Sequence, residues 1–570
     1  MKKRKILSLI SLALAAAMLT SCSPGEQTSS SESSNSGGDT DKVVTVKLYF
    51  AGSVSGTQPM GVEHNQVIDL IQEKTGTEID FVADASMENL MPLLASSELP
   101  DLTYITDLKH ANSIIKGGLA TELDSYMEEY GKDITANAAD KVEYAKEMFG
   151  GEEGKLWGIM GTSGSLGTPS YYTFGPQMRW DLYEKLGYPE IESYMDILPV
   201  LKDMLELEPT NEDGKTNYGI SLNTDWDTII PLNLMFIGPM YGVQLENSFH
   251  AEIDNANGYA VKNMFEENSY TMKAAEFYYE ANQMGLMDPE SVTQKWDNVS
   301  NKITTGRCFL QLVNWPVGAY NNEQKNQGHD EKGFMPIFPK DSTTLWEGQS
   351  NPFGTGGMWF VSSTYQYPEK ALGIVNYLNT VECSTAIYSG IEGVHWDMVD
   401  GRPVMKDDVY EKLQSDEDYK NQSGIVKYWN MAGLTPGTLL PGSNEGISSS
   451  LWSSQFERGA TTVEKNYLKY YDVERPSEAY DKQRTKVVDS DVLAAYMEPM
   501  PDDIALISQK ISDMANEEFY KLIFANNKEE FEAKKQDIIQ QAYDLGLQTE
   551  MDWIIAEREK AKEKYEELTD

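Results

Sequence analysis

The stretch Val44-Thr45-Val46-Lys47-Leu48-Tyr49-Phe50-Ala51, read on to Ile105, decides the fold of this chain. Val44, Val46, Leu48 and Phe50 alternate with their neighbours at the period of a strand, and Ala51-Gly52-Ser53 ends it. Val67, Leu70 and Ile71 then recur at helical spacing, and Gly76 stands where a helix would close. Ile79 and Phe81 mark a second strand, 87–95 reads as a helix and 102–105 as a third strand. Strand, helix, strand, helix, strand predicts an α/β layer with a largely parallel sheet. Ligands of such sheets sit beyond the carboxyl ends of the strands.

The pattern continues outward. Helices are expected over 178–186, 197–205 and 271–284, and 308–313 is a compact apolar strand stopped by Asn314-Trp315-Pro316. Phe353-Gly354-Thr355-Gly356-Gly357 leads into a strand over 358–361, and Pro368 opens a helix. The C-terminal part turns predominantly helical, and 553–568 carries Glu and Lys at spacings of three and four, as on a solvated helix face. No internal repeat is present. The roughly 530 residues beyond position 42 exceed one hydrophobic core, which stops growing near 250 to 300 residues, so two lobes are expected.

At the amino end, Lys2, Lys3, Arg4 and Lys5 precede an apolar run from Ile6 to Met18 and then Leu19-Thr20-Ser21-Cys22. A basic start, a short apolar run and small residues describe a secretory signal over 1–21. The cysteine behind it resembles a bacterial lipobox, which implies that Cys22 becomes a lipidated N-terminus. The alternative is an ordinary signal peptide with an incidental cysteine. Residues 22–42 are rich in Ser, Gly, Thr and Asp and cannot bury apolar area, so they read as a disordered tether. About 20 such residues span roughly 25 Å. The expected location is the outer face of the cytoplasmic membrane, lipid-anchored, and no other stretch is long and apolar enough to span a bilayer.

Acidic residues outnumber basic ones by 90 to 47, and removing the leader would take the formal charge from −43 to about −47. Such a surface excludes a nucleic-acid groove, which needs dense Lys and Arg. Cys308 and Cys383 are the only cysteines besides Cys22, and they read as separate buried thiols.

At Leu93-Leu94-Ala95-Ser96-Ser97-Glu98-Leu99-Pro100-Asp101-Leu102 the chain resembles the extracellular solute-binding proteins of carbohydrate ABC importers, family 1 type. In the order that family expects come Gly118-Leu119-Ala120, Lys155-Leu156-Trp157-Gly158, Arg179-Trp180-Asp181 and Gly285-Leu286-Met287-Asp288-Pro289. Thr305-Gly306-Arg307-Cys308, Tyr367-Pro368-Glu369-Lys370-Ala371 and Gly390-Ile391-Glu392-Gly393-Val394-His395 follow. The extra length and helical tail are similar to the longer, oligosaccharide-binding branch. The resemblance implies a periplasmic-binding-protein-like α/β fold of type II: two α/β lobes joined by a hinge, with a helical C-terminal extension. It places lobe one at 43–158 and 308–358 and lobe two at 159–307 and 359–570, with crossing strands near 157–163, 310–314 and 356–362. It implies a monomeric receptor that captures an oligosaccharide between the lobes and passes it to the permease subunits of an ABC transporter.

A sugar presents an apolar C–H face and a belt of hydroxyls, so its site needs aromatic plates and planar hydrogen-bonding edges. Aromatic residues at loop junctions are the candidates, because loops at strand ends carry binding residues. They are Trp315 after the strand 308–313, Trp226 in Asn223-Thr224-Asp225-Trp226-Asp227, Trp396, Trp429 and Tyr172. The polar candidates are Asp101, Asp225, Asn314 and Gln58, with a helix or turn cap as the competing role for Asp101.

The segment 208–217 looks like a short calcium loop of the longer family members. Asn211, Asp213, Lys215 and Asn217 alternate through it, with Gly214 at the turn. Pro209 occupies the first ligand position and Ile220 stands where a closing Glu belongs, so a plain surface turn is favoured and calcium is the alternative. No other cofactor is expected.

No catalytic signature is complete. Gly154-Lys155 lacks the upstream glycine of a P-loop, Gly161-Thr162-Ser163-Gly164 misses the nucleophile elbow by one position, and the five histidines show no zinc-ligand spacing. The expectation is a binding protein and not an enzyme. Its rivals are a secreted glycoside hydrolase, which needs only two suitably placed carboxylates, and a peptide receptor on the same fold.

Overall fold

The computed structural model describes residues 43–52, 58–164, 174–225, 237–246, 250–346, 352–488 and 491–569. Strand β1 (Val44–Ala51) forms as its alternation requires, with Val46, Leu48 and Phe50 wholly buried. After β2 (Met60–Val62), α1 (Gln66–Thr75) starts on Asn65, whose side chain accepts the Ile68 N–H at 3.0 Å. It ends at Gly76, in the left-handed conformation that glycine adopts without penalty. Strands β3 (Thr77–Asp84) and β4 (Leu102–Ile105) lie parallel to β1 on its two sides. Helix α2 (Lys132–Phe149), bent at Ala138, and the short β5 (Ile159–Met160) follow.

The chain then builds β6 (Phe174–Arg179), β7 (Leu310–Val313), α3 (Trp315–Asn326) and β8 (Phe334–Pro336) before β9 (Met358–Val361) returns to the first sheet. That sheet has the order β2-β3-β1-β4-β9-β5, with β2 antiparallel to β3 and β9 antiparallel to β4 and β5. The second sheet, β7-β6-β8, is antiparallel throughout. At its edge the motif Arg179-Trp180-Asp181 has a physical role. The buried Arg179 guanidinium donates to both oxygens of the buried Asp181 carboxylate at 2.8 and 2.9 Å, and Trp180 packs among Tyr183, Tyr188 and Tyr467.

Two large apolar cores result, both within one compact unit, Val43–Asp570. The first gathers the six-stranded sheet with Ala371, Leu378, Ile387, Trp396, Tyr428 and Trp452. The second gathers Met178, Leu201, Phe277, Phe309, Leu310, Met335, Tyr467 and Phe519. Their membership crosses the expected boundaries: Phe309, Leu310, Met335 and Phe338 pack with the second core, Val317, Tyr320 and Phe334 with a small third cluster, and the apolar residues of 371–452 with the first. The strands at 310–313 and 358–361 accordingly lie inside the two sheets and do not cross between cores. Cys308 and Cys383 are separate buried thiols, in different clusters.

The C-terminal third supplies α4 (Ser453–Gly459), α5 (Thr462–Tyr471), α6 (Pro476–Gln483), α7 (Asp502–Ile523), α8 (Lys528–Leu545) and α9 (Leu547–Thr569). Helix α9 feeds both cores. Leu547, Met551 and Ile554 join the second, Ala561 the first, and Trp553 packs against each. The charge run on α9 is therefore not all solvated, since Glu557 and Arg558 are buried. Among the described residues no helix is long and apolar enough to cross a membrane.

Candidate functional site

The carboxyl ends of β1, β3, β4 and β5 meet at one edge of the first sheet, because Ala51 pairs with Asp84 and Ile105 while Met358 pairs with Ile105 and Met160. Gly52 N–H donates to Asp84 O at 2.9 Å, and Thr106 N–H to Ala51 O at 3.1 Å. The Asp84 carboxylate accepts the Tyr49 hydroxyl at 2.7 Å and Asn89 N–H at 2.8 Å; burial opposes its charge, but these bonds hold its carboxyl below the usual range. At this edge the chain is crowded. A methyl group on Gly357 would come within 2.3 Å of the Tyr104 hydroxyl, and Tyr104 is held between Phe50 and Trp359.

The strand leaving β5 is pinned here. Thr162 Oγ1 donates to Ala432 O at 2.6 Å, Ser163 N–H to Gly433 O at 3.0 Å, and Thr435 N–H to Ser163 O at 3.1 Å. Beneath them the wholly buried Lys141 of α2 donates to Gly161 O at 2.9 Å, Gly433 O at 3.4 Å and the Asn379 side-chain oxygen. Burial pushes its ammonium down to about 7. Trp429, three residues before Ala432, leaves about half of its surface (47%) to solvent.

A cavity of about 300 Å³ opens between elements of the two cores. One wall, on the side of the second sheet, is Gln177 of β6, Met335 of β8, Asn314, and Val317, Asn321 and Asn322 of α3. Asn321 closes the β8 edge, donating to Phe334 O at 3.0 Å and accepting Phe334 N–H at 2.8 Å. Asn314 precedes α3 without spending its amide on a cap. The opposite wall is Ser450, Leu451, Trp452 and Phe456, and the end is closed by Glu464, Arg475 and Pro476. Glu464 is committed to capping α5, accepting Thr461 N–H at 2.7 Å and the Thr461 hydroxyl at 2.8 Å. An apolar bed bordered by amides and a hydroxyl suits a ligand with a C–H face and polar edges.

The expected site residues scatter around this arrangement. Asn314 lines the cavity, and Trp315 opens α3 beside it. Gln58 lies two residues before Met60, which pairs with Val82, and so stands toward the carboxyl edge of the first sheet. Asp101 does not: it precedes β4 at the opposite edge, and its half-buried carboxylate accepts Lys47 N–H at 2.8 Å. Asp225 is a structural partner, accepting Asn223 Nδ2–H at 2.8 Å and the N–H of Trp296 at 2.9 Å, at the start of the helix Trp296–Thr304. Trp396 is a core residue, stacked edge-on against Trp452 with its indole N–H on Gly390 O at 2.8 Å. Trp226, Tyr172 and the Trp315 side chain lie outside the described residues, as does Cys22. Sequence reasoning missed Gln177, Asn322, Met335, Phe456 and Arg475, and the one available signal is the pair Asn321 and Asn322 two helical turns beyond Asn314.

The loop carrying Asn211, Asp213, Lys215 and Asn217 does not fit a calcium cage. Its carbonyls serve its own hydrogen bonds: Asn217 N–H to Pro209 O, Gly214 N–H to Asn211 O and Asn211 N–H to Lys215 O. Asn211 Oδ1 accepts Lys215 N–H at 2.9 Å, the neighbouring Glu212 is held by Lys332 at 2.6 Å, and Ile220 at the closing position is buried. Asn217 Oδ1 is buried without a hydrogen-bond partner. That leaves Asp213 as the one carboxylate of the alternating set, too little charge for such a site. Among the described residues no group of three His, Cys, Asp or Glu is placed to hold a metal.

No family model and no curated protein matches this sequence. Solved structures do share its fold. An HMO-binding, ABC-transporter-associated solute-binding protein from Bifidobacterium longum infantis matches 90% of this chain and 98% of its own, at 14% identity and a TM-score of 0.59. The S. pneumoniae ABC-transporter substrate-binding protein FusA, an EF-hand mutant in complex with fructo-nystose, matches 92% and 100%, at 14% identity and 0.59. Alginate-binding protein AlgQ2 without calcium ion matches 91% and 99%, at 16% identity and 0.55. The fold of this chain is thus that of the periplasmic-binding-protein-like solute-binding proteins, α/β with a helical C-terminal stretch.

Proposed function

We propose that this protein is a lipid-anchored, extracellular substrate-binding protein that captures a neutral or weakly charged oligosaccharide and delivers it to the permease of an ABC transporter. The observation that carries this reading is the cavity between the two cores, with an apolar bed and the amides Gln177, Asn314 and Asn322 at its edge. The fold-level similarity to proteins described as HMO-binding and as in complex with fructo-nystose supports the same ligand class. Binding is favoured over cleavage because, among the described lining residues, Glu464 is the one carboxylate, and most glycoside hydrolysis uses a pair. The strongly acidic composition speaks against polyanionic ligands. Lobe closure around the saccharide would give the permease a shape to recognise.

Calorimetry on the mature protein with a panel of oligosaccharides and peptides tests the reading. Saturable heat with a saccharide at micromolar affinity, about −8 kcal/mol, and no release of reducing ends over hours are expected. Turnover would make it a hydrolase, and heat with peptides alone would move the ligand class. Anchoring is checked by detergent-phase partition: the wild-type chain should enter the detergent phase and Cys22→Ala should not.

A further inference from the structure

At the end of the cavity closed by Arg475, a charged side chain from the first-core side meets one from the second-core side. On the first-core side the buried Glu445 carboxylate accepts Ser453 N–H at 3.1 Å and the Ser453 hydroxyl. Those bonds fix the start of α4, which presents Phe456 to the cavity. On the second-core side Arg475 precedes α6 and shares Glu478 with it: Arg475 N–H donates to Glu478 Oε2 at 3.2 Å and Nε to Oε1 at 3.4 Å. Arg475 itself lines the cavity. Its Nη1 stands 3.6 Å from Glu445 Oε2, with side chains 28% and 9% exposed.

We infer that the Glu445–Arg475 pair is a clasp that holds the cavity walls together, making both residues positioning residues for ligand capture. This rests on the cavity being the binding site proposed above. The segment holding Glu445 packs with the first core through Leu440 and Ile447, and the segment holding Arg475 packs with the second through Ala479 and Tyr480. Any separation of the walls therefore stretches this pair. Each partner keeps other bonds when the pair opens, Glu445 to Ser453 and Arg475 to Glu478, so opening strands neither charge. A partly desolvated pair with retained local partners suits reversible closure better than permanent structure.

The test is a double-mutant cycle with Glu445→Gln, Arg475→Met and the combination, reading saccharide affinity by calorimetry at low and high salt and the radius of gyration by X-ray scattering. Each single substitution is expected to weaken binding about tenfold, the double no more than the stronger single, and the salt dependence of wild-type affinity to vanish in the double. Arg475→Lys should recover part of the loss. Additive losses, or unchanged affinity with lowered thermal stability, would overturn the clasp. If the wild-type protein binds no saccharide, the proposed function fails, and scattering alone decides the clasp. The unliganded variants must then be more expanded than wild type, and equal radii would overturn it.

Discussion

Lys141 is a buried ammonium with carbonyl-type oxygens and no carboxylate among its hydrogen-bond partners, at the point where the chain leaves the first sheet. Lys141→Met should cost about 1–3 kcal/mol by stranding those acceptors. Because burial lowers the lysine to about 7 from 10.5, the unfolded chain holds a proton that the folded chain has shed between those values. Wild-type stability relative to the variant should rise as pH climbs from about 7 toward 10.5, as urea titrations across that range would show. A flat difference would mean that the amine stays charged. Asn314→Ala removes one cavity amide and should weaken saccharide binding about 2- to 12-fold, equivalent to about 0.5–1.5 kcal/mol, without lowering the melting temperature. Asn314 was legible in the sequence because it ends an apolar strand, where side chains leave the core. Trp396 misled for the same reason: a tryptophan beside a loop plugs a core as readily as it lines a site, and only its neighbour Trp452 decides which. Arg475 was illegible, since the partner Glu445 that gives it meaning arrives from another core.

At the scale of elements, β1, α1, β3 and β4 could be read because each carries its own period or cap within ten residues. The two-residue β5 has no period to read, and the strand β6 interrupts what looked like a continuous helix over 178–186. Which core an element joins is set by long-range pairing. Strand β7 pairs with β6 and β9 with β4, and neither choice is written in the local pattern. The close approach of β4 to the turn before β9 makes its own prediction. Gly357→Ala would drive a methyl group against the Tyr104 hydroxyl and, at 2.6 Å, the Ile105 carbonyl. With Tyr104 fixed by two aromatic neighbours, the change should destabilise by about 1–3 kcal/mol, visible as a lower denaturation midpoint at unchanged slope.

At the scale of the molecule, the C-terminal helix α9 ties the two cores together. Its Arg558 donates to both Asp491 oxygens at 2.5 and 2.8 Å, both side chains buried, between the residues that serve the second core and Ala561 in the first. Arg558→Ala leaves Asp491 charged and buried without its partner and should cost about 3–5 kcal/mol in urea denaturation. A loss below about 1 kcal/mol would show that α9 is an appendage and not a tie. The sequence showed a charged helix here, but not its buried face, because the Glu and Lys spacing of a solvated helix masks the few residues that turn inward. The central claim is that an oligosaccharide is held between the two cores. A crystal structure with the tightest saccharide of the panel tests it most directly. Density for sugar rings is expected between Asn314 and Phe456; rings bound elsewhere, or no saccharide bound at all, would contradict the claim.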